Sequence, residues 1–263
     1  MLYEKGYQIF NFLAYWAMLA VNLLLWKKSA KPISGPMRLV RRLCPKDEKK
    51  AELFTTLLGI AETGGLTAIW FLSGTYLGNW AGTTFGGSRN YVGNAVLSPF
   101  VFFLACLLLK EEPFWHLDLY SPGCAFALAF FKFACYCNGC CGGIHVRFMF
   151  PYPGRYLRQF PVQLLEMLLA LILFILLLAF RKKLRPGTVQ PLYLIFYSVT
   201  RFFSEFLRWE DKVYGSFRLY QVMLFFSALI GLAEYLIMRK YGAKLVQWTK
   251  DWCSRPYWKS IRE

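Results

Sequence analysis

The stretch from Leu164 to Phe180 is almost unbroken apolar sequence, and Tyr220 to Met238 is much the same. Wound as a helix, a run of about twenty such residues crosses a hydrocarbon core roughly 30 Å thick. A helix also satisfies its own backbone polar groups, which lipid cannot do for it. Further runs, shorter or interrupted by glycine, recur along the chain. They predict spans at 8–26, 53–77, 92–109, 117–137, 161–180, 189–208 and 217–238. The expected fold is therefore all-α: a polytopic membrane protein of about seven transmembrane helices, in a single integral membrane domain over 1–263. Composition agrees. Hydrophobic residues make up 57% of the 263 and charged ones only 17%, against about a quarter in soluble domains.

The formal net charge is +16. Such an excess suits nucleic acid when it is gathered on one surface, but here it is distributed by topology. Lys27, Lys28, Lys31, Arg38, Arg41, Arg42, Lys46, Lys49 and Lys50 fill the first connection. Arg181, Lys182, Lys183 and Arg185 fill a later one, and Arg239, Lys240, Lys244, Lys250, Arg255, Lys259 and Arg262 fill the C-terminal tail. Seven spans put these segments on one side. The positive-inside rule makes that side cytoplasmic and puts the N-terminus outside. The expected partners are thus membrane lipids, with basic loops against anionic head groups, and not nucleic acid. The first run follows one Glu and one Lys and ends in Trp26-Lys27-Lys28, which reads as an anchored helix rather than a cleavable signal peptide. No repeat, low-complexity tract or second soluble domain is evident.

Two regions carry local signals. Gly59, Gly64, Gly65, Gly74, Gly78, Gly82, Gly86 and Gly87 run through the second span and the loop after it. They read as close helix packing ahead of backbone that bends around a cavity. The 138–160 segment holds Gly142, Gly143, Pro151, Pro153, Gly154 and several aromatics, and reads as a long outer loop lying at the interface.

Ionisable residues inside spans are expensive, on the order of 3 kcal/mol at the bilayer centre, and so point to function. Glu62, Lys132, Glu166, Arg201, Glu205, Arg208 and Glu234 are the candidates. Glu205 lies four residues after Arg201 and three before Arg208, so a helix brings all three to one face. Two guanidinium groups around one carboxylate leave a surplus positive charge suited to a phosphate ester; the alternative is a structural charge set near the interface. Gln163 and Glu166 open the fifth span after Pro161, where Glu166 suits either an arginine partner, a base, or a favourable place in a first turn. Cys135, Cys137, Cys140 and Cys141 stand together with His145 following. Their spacing matches no zinc pattern, and a disulfide or small packing residues beside a ligand are the other readings. No metal or cofactor is expected. His116 reads as an interfacial ring at a helix end, and Cys44 and Cys253 as reduced thiols.

Three blocks of this sequence resemble the prolipoprotein diacylglyceryl transferases. The first runs from Asp118-Leu-Tyr-Ser-Pro122-Gly123 into Lys132–Gly143. The second is Phe160-Pro161-Val162-Gln163-Leu164-Leu165-Glu166. The third is Pro186-Gly187 with Tyr193, Tyr197, Arg201, Glu205 and Arg208. Their order and spacing agree with the family over roughly 118–208. The resemblance implies transfer of a diacylglyceryl group from phosphatidylglycerol to the thiol of a lipobox cysteine in a prolipoprotein signal peptide, at a bacterial plasma (inner) membrane. It implies catalytic roles for Arg201, Glu205, Glu166 and Lys132, and substrate contacts for Arg208, Gln163, Asn138, Gly139, Gly143 and Tyr197. The sequence also departs from the family. Lys132 replaces an arginine, Cys135 and Cys140 give the double-cysteine form, Phe160 replaces a histidine, and Tyr91-Val92-Gly93-Asn94 lacks the histidine of the third span. These departures motivate two alternatives: a paralogue that transfers lipid to another acceptor, and a non-catalytic lipid-binding protein.

Overall fold

The computed structural model describes residues 2–29, 47–84, 91–209 and 218–255. Most of the first basic loop, with Cys44, lies outside them, as do Gly86, Gly87, Lys259 and Arg262. Among the described residues there are seven α-helices. They are α1 (Leu2–Lys28), α2 (Glu48–Thr84), α3 (Tyr91–Leu108), α4 (Pro113–Asn138), α5 (Val162–Phe180), α6 (Val189–Ser204) and α7 (Leu219–Ser254). Four stretches of the described residues are long and apolar enough to cross a membrane: Glu48–Trp80, Pro113–Asn138, Val162–Phe180 and Leu219–Ser254. Helices α1, α3 and α6 occupy the positions of expected spans one, three and six. Many large apolar side chains face outward, among them Leu168, Ile172 and Ile175 on α5 and Phe225, Phe226 and Leu229 on α7. Contiguous bare apolar surface of this kind calls for a partner or a bilayer.

Two expectations need revision. The seventh helix does not stop at 238 but runs on to Ser254, 36 residues in all. At 1.5 Å per residue that is about 54 Å, well beyond the hydrocarbon core, so part of the basic tail is helix. The 138–160 segment is not a plain loop either, and the fold is not purely helical. Strands β1 (His145–Tyr152) and β2 (Arg155–Gln159) pair antiparallel. Pro153 and Gly154 join them, with Gly154 at φ +76°. Proline sets a negative φ at the first turn position and glycine supplies the positive one at the second. Such a turn matches the strand twist less well than the primed types. The register is irregular between His145 and Phe150.

The chain divides into two compact units. The first comprises residues 1–18, 121–183 and 190–235, the second residues 19–120, 184–189 and 236–263. In the second, Trp70 packs against Phe102 and Tyr120 at ring separations of 4.7 and 6.3 Å. The Tyr120 hydroxyl donates to the Thr63 carbonyl at 3.0 Å, and Asn22 Nδ2 donates to Thr67 Oγ1 at 3.1 Å. A Cβ on Gly59 would overlap the Trp26 indole, whereas Gly64 and Gly65 have open space. The packing reading of the glycines therefore holds at Gly59 and not at the other two. Asp118 accepts the Gly187 N–H at 2.5 Å and the Val189 N–H at 2.9 Å. That cap satisfies donors a helix start leaves open, and it ties the Asp118 block to the Pro186-Gly187 block.

Candidate functional site

The site lies in the first unit and is centred on a carboxylate. Pro161 precedes α5, where a missing N–H and a fixed φ are tolerated. One turn later Glu166 is buried. Three cations from different elements converge on it. Lys132 Nζ, from α4, is 2.7 Å from Oε2. Arg208 Nη2 is 3.0 Å from the same oxygen. Arg201, from α6, ion-pairs with Oε1, which also accepts the Ser204 hydroxyl at 3.0 Å.

Glu205 forms the second node. It is fully buried, with Arg201 Nη2 2.8 Å from Oε2. Arg208 Nε and Arg218 Nη1 stand 3.8 Å from its two oxygens. The sequence placed Arg201, Glu205 and Arg208 on one continuous helix. Instead α6 ends at Ser204, Glu205–Leu207 forms a 3₁₀ turn, and Arg208 is extended at φ −94° and ψ 152°. The three converge all the same, because the tighter turn eclipses residues three apart. Arg218 holds that turn: Nη1 donates to the Glu205 carbonyl and Nη2 to the Arg208 carbonyl at 2.6 Å. Arg218 and Ser204 were absent from the sequence-based set. A cation in the first turn of an otherwise apolar span was the available signal for Arg218.

Four cations around two carboxylates leave a formal surplus of two positive charges. Fixed inside a poorly hydrated interior, such a surplus acts on an anion far more strongly than in water. Beside it lies a small, half-open cleft. One part of its wall is apolar, from Leu128, Leu169, Leu173 and Phe196. The other is polar, from Lys132, Glu166, Thr200, Arg201 and Ser204. Tyr197 also lines it, and its hydroxyl is 3.3 Å from that of Tyr220. The Tyr220 ring lies 5.0 Å from the Arg201 guanidinium, within cation–π range. The shape and charge suit an amphiphile with an anionic head.

The other sequence-derived residues hold the frame. Gln163, fully buried, donates from Nε2 to the Cys140 carbonyl at 2.6 Å. Gly139 has φ +63° and ends α4. Its N–H bonds to the Tyr136 carbonyl at 3.0 Å, and the Cys140 N–H bonds to the Cys135 carbonyl at 3.1 Å. This pair of bonds is a Schellman cap. Gly143 pairs with Arg208 in an isolated antiparallel bridge, and a Cβ there would overlap the Phe160 and Leu207 carbonyls. Only glycine lets those backbones meet. Asn138 is the last residue of α4 and stands outside the ion-pair network. Phe160 packs edge-on to Phe150. His145 sits at the start of β1 with its ring 4.5 Å from Trp209.

His116 differs from expectation. It is not an interfacial ring but a buried one, 3% exposed, in the second unit. Its Nδ1 lies 2.9 Å from the Glu112 carbonyl, and its Nε2 lies 3.9 Å from both Glu62 Oε1 and Glu111 Oε2. The sequence separation between residues 62 and 111 conceals this meeting.

The family described as prolipoprotein diacylglyceryl transferase matches residues 37–237. A phosphatidylglycerol–prolipoprotein diacylglyceryl transferase of Clostridium novyi is 46% identical over 61 residues, 23% of this chain and 24% of that protein. The second such enzyme of Clostridium perfringens is 31% identical over 138 residues, 48% of this chain and 53% of its own. One from Bacillus cereus is 42% identical over 83 residues, 31% of each. The matches span between about a quarter and a half of the length of these relatives.

Proposed function

We propose, since the chain belongs to the prolipoprotein diacylglyceryl transferase family, that it moves a diacylglyceryl group from phosphatidylglycerol to the cysteine thiol of a lipobox-containing prolipoprotein. The proposed setting is the bacterial plasma membrane. There the chain forms a single integral domain of seven spans, with the N-terminus outside and the C-terminus in the cytoplasm. The observation that carries this reading is the cation-rich cluster around Glu166 and Glu205 at the polar end of a part-apolar cleft. A phospholipid has that division of character: acyl chains for the Leu128, Leu173 and Phe196 wall, and a phosphodiester for the cations.

In the reaction the acceptor sulfur forms a bond to the methylene carbon of the diacylglyceryl group. The bond from that carbon to the phosphate oxygen breaks, its electron pair stays on the oxygen, and glycerol phosphate leaves. The thiol proton balances the charge on the departing phosphate. Arg201 and Arg208 supply preorganised positive charge where that charge develops, an effect that commonly contributes about 3 kcal/mol per donor. Glu166 and Glu205 hold the guanidinium planes in place, and Lys132 gives charge without the bidentate fork. Gln163, Gly139 and Gly143 fix the segment beside Arg208.

The test uses the full chain in phosphatidylglycerol-containing micelles with a lipobox peptide. Glycerol phosphate release and a peptide mass increased by one diacylglyceryl group are expected, and both are lost in Arg201→Ala. Neither product from folded, lipid-bound protein would overturn transferase activity on this acceptor and favour another acceptor or a non-catalytic lipid-binding role.

A further inference from the structure

The cap that ends α4 does more than stop a helix. A Schellman cap brings the residue after the left-handed position back against the residue three positions inside the helix end, usually as an apolar contact. Here those two positions are Cys140 and Cys135. The next residue, Cys141, has φ +59°, a left-handed conformation that side-chain-bearing residues adopt rarely and at some energetic expense. That turn brings in a third sulfur. The Sγ atoms of Cys135, Cys140 and Cys141 all lie within 4.8 Å of one another, and all three are free thiols. Cys137 is not of this group, as expected two residues along a helix from Cys135.

Three sulfurs around one point suit a metal better than a disulfide, which would use two and strand the third. Tetrahedral zinc with Zn–S bonds of about 2.3 Å separates its sulfurs by about 3.8 Å, inside the observed spread. The charge also fits. Arg208 and Lys132 lie close enough to Cys141 to act on it electrostatically. Three thiolates and one divalent ion carry one net negative charge, which those neighbouring cations offset. Gln163 fixes the same turn through the Cys140 carbonyl, so the three sulfurs sit on a braced segment.

We propose that Cys135, Cys140 and Cys141 form a binding site for one thiophilic divalent cation of the zinc(II) type, with the fourth tetrahedral position left to an exogenous ligand. Three protein ligands and one open position is the pattern of zinc sites that act on a bound group. Resting on the transfer reaction proposed above, the ligand of matching chemistry is the acceptor thiol. Binding to the metal releases its proton to solvent, since a coordinated thiol is deprotonated outright, and the sulfur is delivered as thiolate. That supplies a route to the nucleophile in a chain whose only histidines are His116 and His145.

The test takes the full chain, reduced and in detergent, equilibrated with zinc(II) and, separately, cobalt(II). One equivalent of zinc per chain is expected, with thiolate-to-cobalt charge-transfer absorption and protection of the Cys135, Cys140 and Cys141 peptides from alkylation. Cys137→Ser retains all three signals, and Cys135→Ser or Cys141→Ser loses them. A lipobox peptide shifts the cobalt spectrum, and its Cys→Ser form does not. Absence of charge-transfer absorption in the reduced wild-type chain would overturn the site, as would metal retained by the Cys135→Ser/Cys141→Ser double variant. Metal bound with no spectral response to the thiol peptide would overturn the acceptor role alone, and none of these readouts depends on turnover.

Discussion

Among the described residues, buried ionisable groups gather in two places, with opposite balance. In the first unit, Lys132, Arg201, Arg208 and Arg218 surround Glu166 and Glu205, and positive charge is in excess beside a cleft. In the second, Glu62 and Glu111 each lie 3.9 Å from the imidazole of His116, two acids to one weak base. Both clusters are expensive to desolvate. Burial of charge alone therefore does not distinguish a site. The sign of the remainder and an adjoining space do, and the first cluster has both a surplus of positive charge and a cleft beside it.

The largest effect is expected at Arg201. Arg201→Ala is expected to lower transfer by at least about 100-fold while the protein still inserts in membranes; glycerol phosphate release measures it. At the hub, Glu166→Gln leaves three cations facing one another. Losing one partner of a buried ion set costs about 3–5 kcal/mol, which thermal unfolding in detergent would reveal. In the second unit, His116→Gln is expected to lower stability by about 1–3 kcal/mol and to leave turnover within about twofold, since its neighbours Glu62, Glu111 and Glu112 are not residues of the candidate site. The smallest effect is expected from Lys132→Arg, which restores the fork to a site that already has the charge. Transfer should rise by about two- to fivefold, read as initial rate.

The apolar runs made the helices legible, because a bilayer demands length and hydrophobicity together. The Arg201–Glu205 pair was legible for the same kind of reason, being one helical turn apart. The role of Glu166 as hub was not, since its partners come from residues 132, 201 and 208 and no local period joins them. Arg218 was concealed within the start of an apolar run. The hairpin was missed because Phe148, Phe150 and Tyr152 were assigned to an interface by their aromatic character. Their alternation and the following Pro153-Gly154 carry the strand signal. Gly143 was noticed through family resemblance, but its reason is the backbone meeting of 143, 160 and 207–208.

In the proposed reaction the cation surplus holds a phospholipid head, with its acyl chains along the adjoining cleft. This placement is tested most directly with phosphatidylglycerol carrying a photoreactive group in one acyl chain, crosslinked to the full chain and mapped by peptide mass. Crosslinks are expected to concentrate at Leu128, Leu173 and Phe196 and to disappear in Arg201→Ala. Crosslinks spread evenly over the outward faces of α5 and α7, and unchanged by Arg201→Ala, would contradict it.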